Sequence, residues 1–168
     1  MKIFVTRPKY DKGMEYLFEW SQEVIDEAEA KGFSVITTDG QNANKKQVQS
    51  KLEKMQPDLV FFNGHGNKGE IFGHGAEPIM TTSSAHLLND TITFARSCDC
   101  LEELGEVAVE KGCKAFIGYS SYFWVPMINK FEANPLKDTA AKPVLEASNI
   151  IPLKLLKEST VSSAVEAS

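Results

Sequence analysis

Arginine is almost missing from this chain: only Arg7 and Arg96 occur in 168 residues. The lysines are scattered, Lys45-Lys46 is the only adjacent basic pair, and the net charge is -5. A nucleic-acid surface needs clustered Lys and Arg to neutralise phosphates, so that class of partner is disfavoured. Cysteine is scarce and odd in number, three in all, which argues against a disulfide framework and points to a reducing, cytoplasmic setting with free thiols. Long apolar runs are missing too. Nothing approaches the ~20 residues of a membrane span, and Ile3-Phe4-Val5 is far shorter than the ~7–15 residues of a signal h-region. No glycine follows the first apolar block, where Thr6-Arg7-Pro8-Lys9 stands, so a phosphate-cradling loop and a flavodoxin-like nucleotide site are disfavoured. No internal repeat, low-complexity tract or linker divides the chain, which reads as one domain over residues 1–168. It stops soon after its last helix begins, as a piece of a longer protein would.

What is present alternates in period. Lys2–Thr6, Phe33–Thr38, Leu59–Phe62, Thr91–Arg96 and Lys114–Tyr119 are short apolar blocks closed by turn residues, and read as strands. Between them lie helical patterns. Met14–Lys31 carries Leu17, Trp20, Val24, Ile25 and Ala28 at three- and four-residue spacing and ends at Gly32. Lys45–Met55 follows the cap Asn44, and Asp99–Lys111 runs to Gly112. Residues 68–80 read as a small hairpin, 83–88 as one or two helical turns, 139–147 as a helix and 150–157 as extended or irregular, with Ser159 capping a last helix. Strands alternating with helices imply an α/β three-layer αβα sandwich on a mainly parallel sheet, in the order 2-1-3-4-5.

Two strands end on chemistry. The block Leu59-Val60-Phe61-Phe62 runs into Asn63-Gly64-His65-Gly66, and Thr91–Arg96 runs into Ser97-Cys98. In open α/β sheets the carboxyl edge is where ligands bind. His65 and Cys98 on neighbouring strands would form a base and a nucleophile. Cys98 at the N-terminus of the Asp99 helix would have its thiol pKa lowered, and the amides of Gly66 and Cys98 could hold an oxyanion. The aromatic stretch Tyr119–Trp124 reads either as a cleft wall or as packing under a long loop.

The motifs FFNGHG and ITFARSC, with the strand and helix order over residues 2–119, resemble the clan of cysteine peptidases that includes caspases, metacaspases, legumain, clostripain and gingipains. The resemblance implies a caspase-like fold and a cysteine endopeptidase acting on a peptide or protein substrate. His65 and Cys98 would be the catalytic pair, with Gly66 an oxyanion donor. It also implies that Arg7 and Arg96 line the pocket for the residue before the cut, which would favour an acidic residue there. The other reading of these arginines is local pairing with Asp11 or Asp99. No cofactor is needed for such chemistry, although calcium activates some members, and the usual sixth strand of the clan is not evident.

Other readings stay open. A non-catalytic caspase-like scaffold or partner-binding module would share the fold. A zinc site from His65, His74, Cys98 and Cys100 is disfavoured, because Cys-x-Cys is tighter than common ligand spacing. Cys113 reads as a small core residue and Cys100 as a buried or idle thiol.

Overall fold

The computed structural model describes residues 1–157 and 159–168. Its centre is a five-stranded, all-parallel sheet of β1 (Lys2–Arg7), β2 (Ser34–Asp39), β3 (Leu59–Asn63), β7 (Ile92–Arg96) and β8 (Ala115–Ile117). The order across the sheet is β2-β1-β3-β7-β8. A second, antiparallel sheet of three short strands, β4 (Gly66–Asn67), β5 (Glu70–Phe72) and β6 (Pro78–Thr81), stands where a simple hairpin was expected.

Alternation along the strands sorts the core into two layers, because successive side chains leave a strand on opposite faces. Phe4, Val60, Phe62 and Ala95 face Val48 and Leu52 of α3 (Lys45–Met55) and Ala108 of α4 (Glu106–Glu110). Ile3, Val5, Phe61 and Phe94 face Val24 and Ile25 of α2 (Gln22–Ala30) and Ile151 and Leu155 of α5 (Lys142–Leu155). A short α6 (Val161–Glu166), capped by Thr160 rather than Ser159, closes this side through Ala164. Complete burial of such a side chain stabilises the fold by about 1.5–3 kcal/mol. The αβα sandwich and its strand order are those expected.

Three elements depart from their expected form. The first helix breaks in two, α1 (Lys12–Trp20) and α2, at buried Ser21, whose hydroxyl donates to the Phe18 carbonyl at 2.8 Å. Such a local side-chain bond competes with the helix ladder. The helix after β7 starts at Leu101, not at Asp99, and its first five residues, Leu101–Gly105, form a π-helical turn. Cys98 and Asp99 lie in a turn ahead of it, with Asp99 at φ +53°. Finally, α5 continues through Pro152 to Leu155 where an extended segment was expected. Proline removes one ladder bond there, and the burial of Ile151, Pro152 and Leu155 outweighs that loss.

Among the described residues no helix is long and apolar enough to cross a membrane.

Candidate ligand pocket at the carboxyl edge

Where β1, β3 and β7 leave the sheet, a cavity of about 270 Å³ opens between α1 and the segment that follows β8. Its floor is Met14 and Leu17 of α1 with Val125, and its mouth carries His65, Cys98, Tyr122 and Trp124. The floor belongs to a third apolar cluster, in which Met14, Leu17 and Trp20 pack on Leu145 of α5 and on Ala141 just ahead of it, with Tyr10, Phe123 and Val125 against them. The aromatic stretch therefore does both things read for it. Phe123 packs inward on Tyr119, with ring centroids 4.7 Å apart, while Tyr122 is 85 % and Trp124 73 % exposed.

His65 and Cys98 share this pocket but are bonded to different partners. His65 Nε2 lies 2.8 Å from Asp11 Oδ2. The other oxygen of Asp11 accepts the Met14 amide at 2.8 Å and so caps α1. Cys98 Sγ points at the Phe123 carbonyl, 3.8 Å away, and no hydrogen bond joins it to His65. The helix begins at Leu101, three residues past Cys98, and a helix dipole acts mainly within its first turn.

Gly66 is a close-approach glycine: a Cβ there would stand 2.8 Å from the Cys98 carbonyl oxygen and 2.9 Å from Ser97 Cβ. The exits of β3 and β7 can therefore touch only without a side chain at this position. Ser97 reinforces the contact by donating its hydroxyl to the Gly64 carbonyl at 2.9 Å.

The two arginines are structural in their contacts, and neither lines the cavity. Arg7 forks onto Asp39 through Nε and Nη2, gives Nη1 to Gln22 at 2.6 Å, and lies over the Phe18 ring. Its partner is thus a neighbour on β2, not Asp11. Arg96 is wholly buried and has no carboxylate partner among the described residues. It donates Nε and Nη2 to Asn63 Oδ1 at 2.9 and 2.6 Å, Nη1 to Asn149 Oδ1 at 2.9 Å and Nη2 to the Leu17 carbonyl at 3.3 Å. Burial pulls its pKa down to about 9, while Tyr119 nearby raises it. Asn63 ends β3 fully buried and bridges Arg96 to the Thr6 carbonyl, 2.9 Å from its Nδ2.

His74 sits in a short helical turn and meets Tyr10 edge-on at 5.4 Å, beyond reach of the zinc set considered for it. Among the described residues no three His, Cys, Asp or Glu side chains are grouped to hold a metal. Cys100 is buried, faces the Ser97 carbonyl, and has its thiol pKa pushed up to about 11 by that burial. Cys113 is a buried thiol directed at the Thr91 and Ala115 carbonyls.

Two residues that matter here were not singled out for the site. Asp11 had an N-cap signal, an acid three positions before an apolar helical residue, but nothing local tied it to His65, 54 positions away. Asp138 is buried and holds four groups together. It accepts the Tyr16 hydroxyl and the Ile128 amide at 2.7 Å on one oxygen and the Ala140 and Ala141 amides on the other. Burial raises its pKa, but these bonds outweigh burial and hold it below the usual carboxylate value.

No protein-family model matches the chain, and no curated protein matches it. Among solved structures it is similar to the signal receiver domain of a protein described as a Luxo repressor, from Vibrio parahaemolyticus. The identity is 13 %, the TM-score 0.41, and the match covers 95 % of this chain and 98 % of that one. The expected membership of the caspase-like clan is not borne out: no family model and no curated peptidase matches the chain, and the similar structure is described as a signal receiver domain. The expected endopeptidase activity and peptide substrate fall with it, since no matching family or relative carries them. In the structure His65 and Cys98 are turned to other partners, and the helix expected from Asp99 begins two residues later, at Leu101.

Proposed function

We propose that this protein is a recognition module whose carboxyl-edge pocket takes one uncharged, apolar side chain of a partner protein. The observation that carries the reading is the pairing of an apolar floor with exposed aromatics at the mouth. Met14, Leu17 and Val125 line the cavity, and Tyr122 and Trp124 stand beside it almost free in solvent. Tyr, Trp and Met are enriched at interfaces, and Tyr and Trp bury much area at little entropic cost. The size suits a single side chain, being just below the ~300 Å³ at which pockets for drug-sized ligands begin. His65, Ser97 and Cys98 supply a polar rim that can orient the partner backbone. With Arg7 and Arg96 engaged internally, no cation awaits an acidic group at the floor.

Proton NMR with N-acetyl-leucine amide, N-acetyl-phenylalanine amide and N-acetyl-aspartate amide tests this. The Trp124 indole is the reporter, since the Trp20 indole is buried and donates to the Pro135 carbonyl. The apolar amides should shift Trp124 and the Met14 methyl at millimolar concentration, and the aspartate amide should not. Met127→Glu, which sets a charge in the lining, should abolish the shifts. Equal response to all three amides would overturn the reading. So would hydrolysis of the probes, because recognition leaves its ligand intact.

A further inference from the structure

The last strand of the main sheet ends in an open edge. Lys114 donates its amide to the Thr91 carbonyl at 2.8 Å, and Phe116 is in register with Thr93. Alternate residues of a strand turn their N–H and C=O groups to opposite edges. Lys114 and Phe116 thus serve β7, and Ala115 and Ile117 present theirs outward. Among the described residues the outward amides of Ala115 and Ile117 and the Ile117 carbonyl have no hydrogen-bond partner, and β8 has no neighbour beyond β7. β8 is short, three residues, but Ala115-Phe116-Ile117 carries no lysine, proline or bulge to blunt its edge.

A groove runs beside this edge. Its floor is Leu101, Gly105, Val109 and Phe116, and Val109 is 52 % exposed. Gly105 lets Phe116 lie on the helix, since a Cβ there would meet the ring at 2.9 Å. The outer wall is a line of carboxylates, Glu102, Glu106 and Glu110. Among the described residues Glu106 and Glu110 are in no ion pair, and Glu102 reaches only Lys68, at 3.7 Å. Residues four apart on a helix rise ~6 Å. Residues two apart on a strand advance about 6.6 Å. The carboxylates are thus spaced to meet alternate side chains of a strand laid along β8.

We propose that this edge docks an extended, lysine- or arginine-bearing segment of a partner protein as a sixth strand. Its backbone would bond the outward groups of Ala115 and Ile117, and alternate basic side chains would pair with Glu102, Glu106 and Glu110. This is strand addition, with the backbone supplying affinity and the alternate side chains specificity. A second copy of the chain is a poor occupant, because edge pairing would bring the same three carboxylates together from both sides, and like charges in register repel. No residue of this groove lines the pocket, and the site does not depend on it.

The test is fluorescence anisotropy of two labelled peptides, one alternating lysine with valine and one alternating glutamate with valine. The lysine peptide should bind, the glutamate peptide should not, and added salt should weaken the complex. Glu106→Lys with Glu110→Lys, both on the surface, should weaken it at least about tenfold. Ala115→Pro removes one outward N–H without touching the ladder to β7, and should also weaken it while leaving the charges in place. If Ala115→Pro does not fold, the Ile117 amide of the wild type decides instead, through slowed hydrogen exchange when the lysine peptide binds. Binding that survives the charge reversal, or that leaves Ile117 unprotected, overturns the proposal, as does no binding at all. A wild-type dimer in sedimentation that the charge reversal strengthens would identify a second copy as the occupant and overturn the choice of partner.

Discussion

Asp11 holds His65 with one oxygen and the start of α1 with the other. One carboxylate therefore sets the distance between the helix that floors the pocket and the β3 exit that forms its mouth. Asp11→Ala should remove both bonds, and Asp11→Asn should keep the cap. The cap is worth ~1 kcal/mol. The His65 bond, half exposed, is worth about 0.2–1 kcal/mol. Urea denaturation should then show Asp11→Ala less stable than Asp11→Asn, with His65→Ala close to wild type. If His65→Ala were as damaging as Asp11→Ala, the imidazole would have a packing role that these contacts do not contain.

Arg96 should be the most costly polar side chain to replace. Arg96→Met leaves Asn63 Oδ1 and Asn149 Oδ1 buried without their donors. Stranding buried acceptors costs ~1–3 kcal/mol each, so a loss of about 3 kcal/mol is expected. Arg96→Lys should recover little, because an ammonium cannot fork between Asn63 and Asn149. Equilibrium unfolding of both variants checks this. A Lys variant as stable as wild type would show that charge, not the forked geometry, matters at this position.

Asp138 gives the fold an acid limit. Its folded pKa lies below the ordinary carboxylate value of ~3.9. A carboxyl with a depressed folded pKa contributes stability that is fully present above the unfolded pKa and disappears as pH falls through the folded one. The contribution should thus be complete at neutral pH and vanish only in strong acid. Protonation would weaken the grip on Tyr16 and Ile128, which tie α1 to the pocket segment. Asp138→Asn should be less stable than wild type at neutral pH, and the difference should shrink in acid. Thermal melts across an acid series would show it. A difference independent of pH would assign the effect to lost packing and not to the charge.

How much of this could be read from the residues depends on range. The sheet was legible because each strand carries its own signal: Leu59-Val60-Phe61-Phe62 is apolar on both faces, and both faces are covered. The Ser21 break was not, since a single serine inside an apolar 3.6 period is decided by where its hydroxyl turns. Residues 150–157 read as extended or irregular, while the burial that keeps them helical through Pro152 comes from strands far away in the chain. At the site, the shared edge of His65 and Cys98 followed from strand endings. Their separate partners, Asp11 and the Phe123 carbonyl, lie 54 and 25 residues away and leave no local pattern. The two arginines looked like substrate ligands because the peptidase resemblance placed these strand-end positions at the substrate pocket. Asp39 and Asn149, which occupy them, carry no sequence mark of that task.

Cys98 tests whether His65 acts on the thiol at all. Cys98 lines the pocket and is part exposed, while Cys100 and Cys113 are buried. One equivalent of iodoacetamide should therefore label native protein, at Cys98, and the other two thiols should react only after unfolding. A general base in contact with the thiol would contribute ~10²–10⁴-fold to reactions that require it. His65 is bonded to Asp11 and not to Cys98, so His65→Ala should change the alkylation rate only slightly. The readout is intact mass against time for wild type, His65→Ala and Cys98→Ser, with Cys98→Ser expected to lose the label. A hundredfold fall in His65→Ala would mean that the imidazole swings from Asp11 to the thiol in solution. The pocket would then hold an activated nucleophile, and the recognition-only reading of it would be wrong.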